Sequence, residues 1–118
     1  MQNKRFAKCK IRQPKNGPNK TEAEWMDYLE ILKKEGNIIW YGFERIKLKL
    51  ADKTHYTPDF FVVKNDGSVE VHEIKGFMRD DAAVKLKVAA EIYPFFQFVL
   101  IKKIAIKDGG GWDCKKVP

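Results

Sequence analysis

Thr57-Pro58-Asp59-Phe60-Phe61-Val62-Val63-Lys64, then Asn65-Asp66-Gly67, then Ser68-Val69-Glu70-Val71-His72-Glu73-Ile74-Lys75, is the stretch on which the reading of the 118-residue chain turns. Two runs rich in β-branched and aromatic residues flank a three-residue loop that ends in glycine. That pattern fits a hairpin with a type I turn and a glycine bulge, and it pairs Lys64 with Ser68. Counting back along both strands sets Asp59 directly opposite Glu73, where facing Cβ atoms lie about 4.5–5.5 Å apart. Alternation turns Val69, Val71, Glu73 and Lys75 to one side, and Glu70, His72 and Ile74 to the other. Two carboxylates and an amine are therefore expected on one face, and a slip of one residue would separate them.

The remaining pattern supplies the elements around this hairpin. Thr21 to Glu35 reads as a helix with Asn19 or Thr21 as its N-cap, Gly36 past its end, and Trp25, Met26, Leu29 and Leu32 as its apolar stripe. Ile38–Phe43 and the alternating Arg45–Leu50 read as strand, one long element bent at Gly42, followed by a turn at Ala51-Asp52-Lys53. Tyr56–Val63 and Val69–Lys75 form the hairpin. Asp80–Ile92 carries a helical period through Ala83, Leu86 and Ala90 that Pro94 stops, and Phe95–Ile101 reads as a buried strand. Strand, helix and buried strand in succession favour a parallel crossover. The expected class is α/β (α+β), in the order αβββαβ, with a mixed sheet flanked by helices. The organisation is a basic arm (1–20), one domain (21–107) and a tail (108–118) expected to be poorly ordered.

Size and composition agree with a single domain, 44% apolar and 13% aromatic. The longest nearly apolar run, Phe95 to Ile101, falls far short of the ~20 residues that span a bilayer, so no membrane partner is expected. Cys9 and Cys114 sit near opposite ends with no partner at metal-binding spacing, which points to a reduced, cytoplasmic setting. The formal net charge of +7 resides in the arm. Lys4, Arg5, Lys8, Lys10, Arg12, Lys15 and Lys20 stand there without an acid, whereas the other 98 residues balance 16 basic against 16 acidic side chains. Such an arm gains phosphate contacts on a nucleic acid; the alternative is a solvated terminus that aids solubility.

The order of elements, with Pro58-Asp59 followed by Glu73-Ile74-Lys75 on adjacent strands, resembles the PD-(D/E)XK nuclease superfamily. Within it, the likeness is to small phage-encoded nucleases akin to phage endonuclease I and the Holliday-junction-resolving enzymes, and it covers about Asn19 to Ile104. The resemblance implies a restriction-endonuclease-like core in which Asp59 and Glu73 hold Mg²⁺, with Mn²⁺ as a substitute. Further ligation would come from the Ile74 carbonyl and from Glu22 on the first helix, and Lys75 would serve the attacking water. Carboxylate oxygens suit Mg²⁺ on physical grounds as well.

The expected function is a metal-dependent endodeoxyribonuclease acting on branched or otherwise structured DNA, as a homodimer if it resolves four-way junctions. The alternatives are a non-catalytic nucleic-acid-binding protein and an endoribonuclease on the same core. Taken singly, Asp59 reads as a solvated strand-start acid and Glu73 with Lys75 as a surface ion pair; their spacing joins them. Glu22 falls about 20° from Leu29 on a helical wheel, so it reads either as a ligand or as the partner of Asn19 in a capping box. His72 points away from the acids and reads as a strand residue with a satisfied imidazole. His55, Arg79, Lys85 and Lys87 are candidates for backbone contacts.

Overall fold

The computed structural model of the chain describes residues 17–75 and 80–118, the side chains of 80–82 excepted. The arm residues Lys4, Arg5, Lys8, Lys10, Arg12 and Lys15, together with Arg79, lie outside the described residues. Lys20 is the first residue of helix α1 (Lys20–Lys34) and is exposed. Asn19 caps that helix reciprocally: its side chain accepts from the Glu22 N–H at 2.8 Å, and its own N–H donates to Glu22 Oε1 at 2.9 Å. Caps of this kind contribute about 0.5–2 kcal/mol.

Strands β1 (Ile38–Phe43), β2 (Leu48–Ala51), β3 (Thr54–Tyr56), β4 (Phe60–Lys64) and β5 (Val69–Lys75) come next. Helix α2 (Asp80–Ile92), strand β6 (Gln97–Lys103), a 3-10 turn (Ile106–Asp108) and strand β7 (Trp112–Val117) complete the chain. The main sheet has the order β1-β4-β5-β6-β7, and β2 and β3 form a separate two-stranded ribbon. β4 is antiparallel to both β1 and β5, β5 and β6 are parallel across α2, and β7 returns antiparallel to β6. The fold is thus mixed α+β, with a mixed sheet between two helices.

The β4–β5 register is the one expected from the turn. Phe60 pairs with His72, Phe61 with Val71, Val62 with Glu70 and Val63 with Val69. The Lys64 N–H donates to the Ser68 carbonyl at 2.9 Å, and Gly67 takes the left-handed conformation with φ 87°. Asp66 Oδ1 accepts from the Ser68 N–H and hydroxyl, fixing the loop from inside.

Alternation then sorts side chains onto two cores. Phe60, Val62, Ile74, Val99 and Ile101 pack with Trp25 and Leu29 under α1. Val71 and Phe98 pack with Leu86, Ala89 and Ala90 of α2 and with Leu48 and Tyr56 of the ribbon. Each Val, Leu, Ile or Phe among them contributes roughly 1.5–3 kcal/mol by leaving water.

Four expectations are corrected. The strand from Ile38 to Leu50 is not one bent element: β1 ends at Phe43, and Glu44 enters the left-handed region with φ 49°, sending the chain into the ribbon. Gly42 is needed nearby, because a Cβ there would lie 2.6 Å from Arg45 Cγ and 2.7 Å from a Trp40 ring carbon. Tyr56 closes β3 and is separated from β4 by Thr57-Pro58-Asp59, since proline cannot donate to a ladder. Five strands therefore precede α2 where three were expected. Phe95 is 71% exposed and β6 begins at Gln97. The tail, expected to lack order, instead supplies β7 at the sheet's edge.

Candidate active site

Asp59 and Glu73 come together where the β4–β5 pairing runs past Phe60 and His72 toward the C-terminal end of β5. Asp59 is 9% exposed, and its Oδ2 accepts the backbone N–H of Ile74 at 2.8 Å. Glu73 accepts from the Tyr56 hydroxyl, and the nearby Asp59 backbone N–H favours its charged form. Neither acid has a cationic partner among the described residues.

Burial raises the pKa of both carboxyls above the ordinary range, because a charge in a poorly solvated place is costly. For Asp59 the charge of Glu73 adds to that cost and the Ile74 N–H offsets part of it. For Glu73 the Tyr56 hydroxyl and the Asp59 N–H oppose the rise. The charges of Glu22 and Glu44 push both acids further upward. Tyr56 is itself buried, and its phenol is held well above its usual range by burial first and then by Glu73.

Lys75 ends β5, beside Lys102 of β6, on the side that alternation gives to Val71 and Glu73. It is exposed. Glu22 is engaged as the reciprocal cap of Asn19, yet its charge is felt by both acids. Of the two readings of Glu22, the capping box is the one its hydrogen bonds show.

Two participants escaped the sequence reading. Tyr56 reaches Glu73 from the ribbon, and the Pro58 two residues later was the available sign that it does not continue into β4. Glu44 sits at the end of β1, and its N–H donates to the Asp59 carbonyl at 2.8 Å. A glutamate with positive φ carries no local sequence signature, although such positions are enriched where structure serves function.

His72 is a satisfied core residue. Trp25 Nε1–H donates to its Nδ1 at 3.1 Å, and its Nε2 faces Glu70 Oε1 at 2.9 Å. An accepting Nδ1 assigns the proton to Nε2, which donates to Glu70. That bond is the main reason the Glu70 carboxyl is lowered, and Lys64 Nζ adds an ion pair at 3.4 Å. His55 pairs with Lys49 in the ribbon.

Among the described residues no group of three His, Cys, Asp or Glu side chains is spaced to hold a metal. Mg²⁺ needs less, since one or two carboxylates with waters and substrate phosphate oxygens complete its shell. Asp59, Glu73 and the Ile74 carbonyl are hard oxygen donors, and two adjacent buried carboxyls with no cationic partner among the described residues fit a divalent cation.

Fold and site together define a small α+β domain built around a buried carboxylate pair. The chain belongs to the DUF1064 family, a protein family of unknown function whose profile matches residues 7–108. No curated protein and no solved structure matches it. No helix among the described residues is long and apolar enough to cross a membrane.

Proposed function

We propose that the chain is a metal-dependent endodeoxyribonuclease with a restriction-endonuclease-like core, hydrolysing phosphodiester bonds in branched or otherwise structured DNA. The observation that carries the proposal is the burial of Asp59 beside Glu73, each oriented by protein donors and neither paired with a cation among the described residues. A structural sheet gains nothing from that juxtaposition, and burying unpaired charge costs several kcal/mol.

Asp59, Glu73 and the Ile74 carbonyl would hold Mg²⁺ or Mn²⁺, which supplies charge neutralisation at the phosphate and a more acidic bound water. The Ile74 N–H holds Asp59 in one orientation, and Tyr56 does the same for Glu73. Lys75, exposed at the end of the same strand, is suited to donate to a phosphate oxygen as charge develops there. Glu22 and Glu44 add negative potential that favours a cation at this end of the sheet. The arm adds backbone contacts that carry no sequence information, which suits recognition by shape. Resolution of a four-way junction would need two such sites and hence a homodimer.

The deciding experiment is incubation of supercoiled, four-way, flapped and single-stranded DNA, with RNA alongside, in Mg²⁺, Mn²⁺ or chelator. Cleavage of branched DNA only with metal is the expected result. DNA that is bound but intact would instead mark a non-catalytic nucleic-acid-binding protein, and RNA cut in preference would mark an endoribonuclease. Deleting residues 1–18 should weaken binding and make its salt dependence shallower.

A further inference from the structure

We infer that the β2–β3 ribbon is a docking surface for the phosphate backbone of duplex DNA, placed to present that backbone to the Asp59–Glu73 site. The inference rests on the reading of that site given above and names the surface that receives its substrate.

The ribbon has two unlike faces. Inward, Leu48 and Tyr56 pair directly across the strands and are buried, with Ile46 and Leu50 packed on the same cluster as Leu86 and Ala90 of α2. The Tyr93 hydroxyl donates to the Lys49 carbonyl at 2.6 Å and ties the ribbon's backbone to the end of α2. Outward, Lys47 and Lys49 are exposed, Lys49 stands across from His55, and Lys53 occupies the tip. From Arg45 to Tyr56 there are four cationic residues and one acid, Asp52.

These lysines are also uncommitted. Lys64 pairs with Glu70, Lys103 pairs with Glu24, and Lys33 lies over the Tyr41 ring, whereas Lys47, Lys49 and Lys53 make no ion pair among the described residues. Lys53 adopts φ 60°, a left-handed position that glycine fills more easily. A lysine there places charge at the tip at a conformational cost.

Placement supplies the last step. Tyr56 closes the ribbon with its hydroxyl on Glu73, and Asp59 follows three residues later. An acidic site repels phosphate, so a polyanion reaches it only beside compensating cations. The ribbon provides them at the site's border.

The test measures binding of a labelled DNA duplex to the full chain by fluorescence anisotropy, in chelator so that no cutting intervenes, over a range of salt. Lys47→Gln with Lys49→Gln should weaken binding and reduce the slope of log affinity against log salt by about 2. Lys34→Gln with Lys107→Gln, which removes the same charge elsewhere, should leave the slope unchanged. Lys53→Gly should raise the Tm while weakening binding, a pair of signs that a merely structural turn would not give.

Equal losses in both double variants, or ribbon variants that bind as the wild type does, would overturn the inference. So would a wild-type chain that binds anionic phospholipid vesicles or duplex RNA in preference to duplex DNA. Cleavage is scored separately with Mg²⁺. Ribbon-dependent binding without cutting would sink the nuclease reading alone, and cutting with ribbon-independent binding would sink the ribbon alone.

Discussion

Ile74 donates its backbone N–H to Asp59 Oδ2 at 2.8 Å, so the residue between Glu73 and Lys75 on β5 orients the acid that precedes β4. Side chain and main chain are thereby interlocked across the end of the hairpin, where regular pairing between Phe60 and His72 gives way. The bond also offsets part of the cost of ionising Asp59.

Asp59→Asn and Glu73→Gln each keep an oxygen that can accept the same hydrogen bonds while removing one of two crowded charges. Each should abolish metal-dependent cleavage and raise metal-free stability at pH 8 by about 1 kcal/mol or more, read by denaturant titration. Lys75→Ala should slow cleavage by about 10²–10³-fold with no loss of stability. A Lys75→Ala protein that cuts at the wild-type rate removes that lysine from the mechanism.

Both acids hold protons in the folded state that the unfolded chain has released above about pH 4. Unfolding therefore releases protons in that window, and the contribution of this pair to stability falls as pH rises through their elevated pKa values. Glu70 works in the opposite sense, its stabilisation being lost as pH falls below the ordinary carboxylate range. The metal-free Tm should thus decline from pH 5 to pH 8, and millimolar Mg²⁺ should restore it at pH 8 by binding the folded state alone. A Tm indifferent to Mg²⁺ at pH 8 would speak against a cation between the carboxylates.

Tyr56→Phe removes the hydroxyl on Glu73 with little change of volume. Hydrogen bonds to charged groups contribute about 1.5–3 kcal/mol, so stability should fall by that order at pH 8. The loss should be smaller at pH 5, where Glu73 holds its proton. Calorimetric titration should also show weaker Mg²⁺ binding, because the carboxylate has lost its fixed orientation.

His72→Leu tests the opposite face of the sheet. It strands the Trp25 N–H and the buried side of Glu70, which costs about 1–3 kcal/mol. Cleavage per folded molecule should not change. A selective loss of activity would assign His72 a role that its bonds to Trp25 and Glu70 do not suggest.

The hairpin register was legible because Asn65-Asp66-Gly67 admits few turns and because the strands alternate cleanly on either side. Helix α1 was legible from its stripe, and α2 from its period and from Pro94. The break at Glu44 was hidden, since the sequence runs on in strand-like alternation and only tertiary pairing to Asp59 stops it. Tyr56 read as a continuation of β4 because local pattern cannot say which partner a short strand takes. β7 gave no signal for the same reason: as an outer strand it is largely exposed and needs no apolar alternation. Of the site, the residues on the hairpin could be inferred, while those delivered by loop and ribbon could not.

Outer strand β7 displays Asp113, Lys115 and Lys116 along the open border of the main sheet. A strand arriving from another copy would have to strip water from those ammonium groups and set them against their own counterparts. The six residues that complete the sheet therefore also line its open edge with charge, the device by which edge strands discourage pairing with another chain.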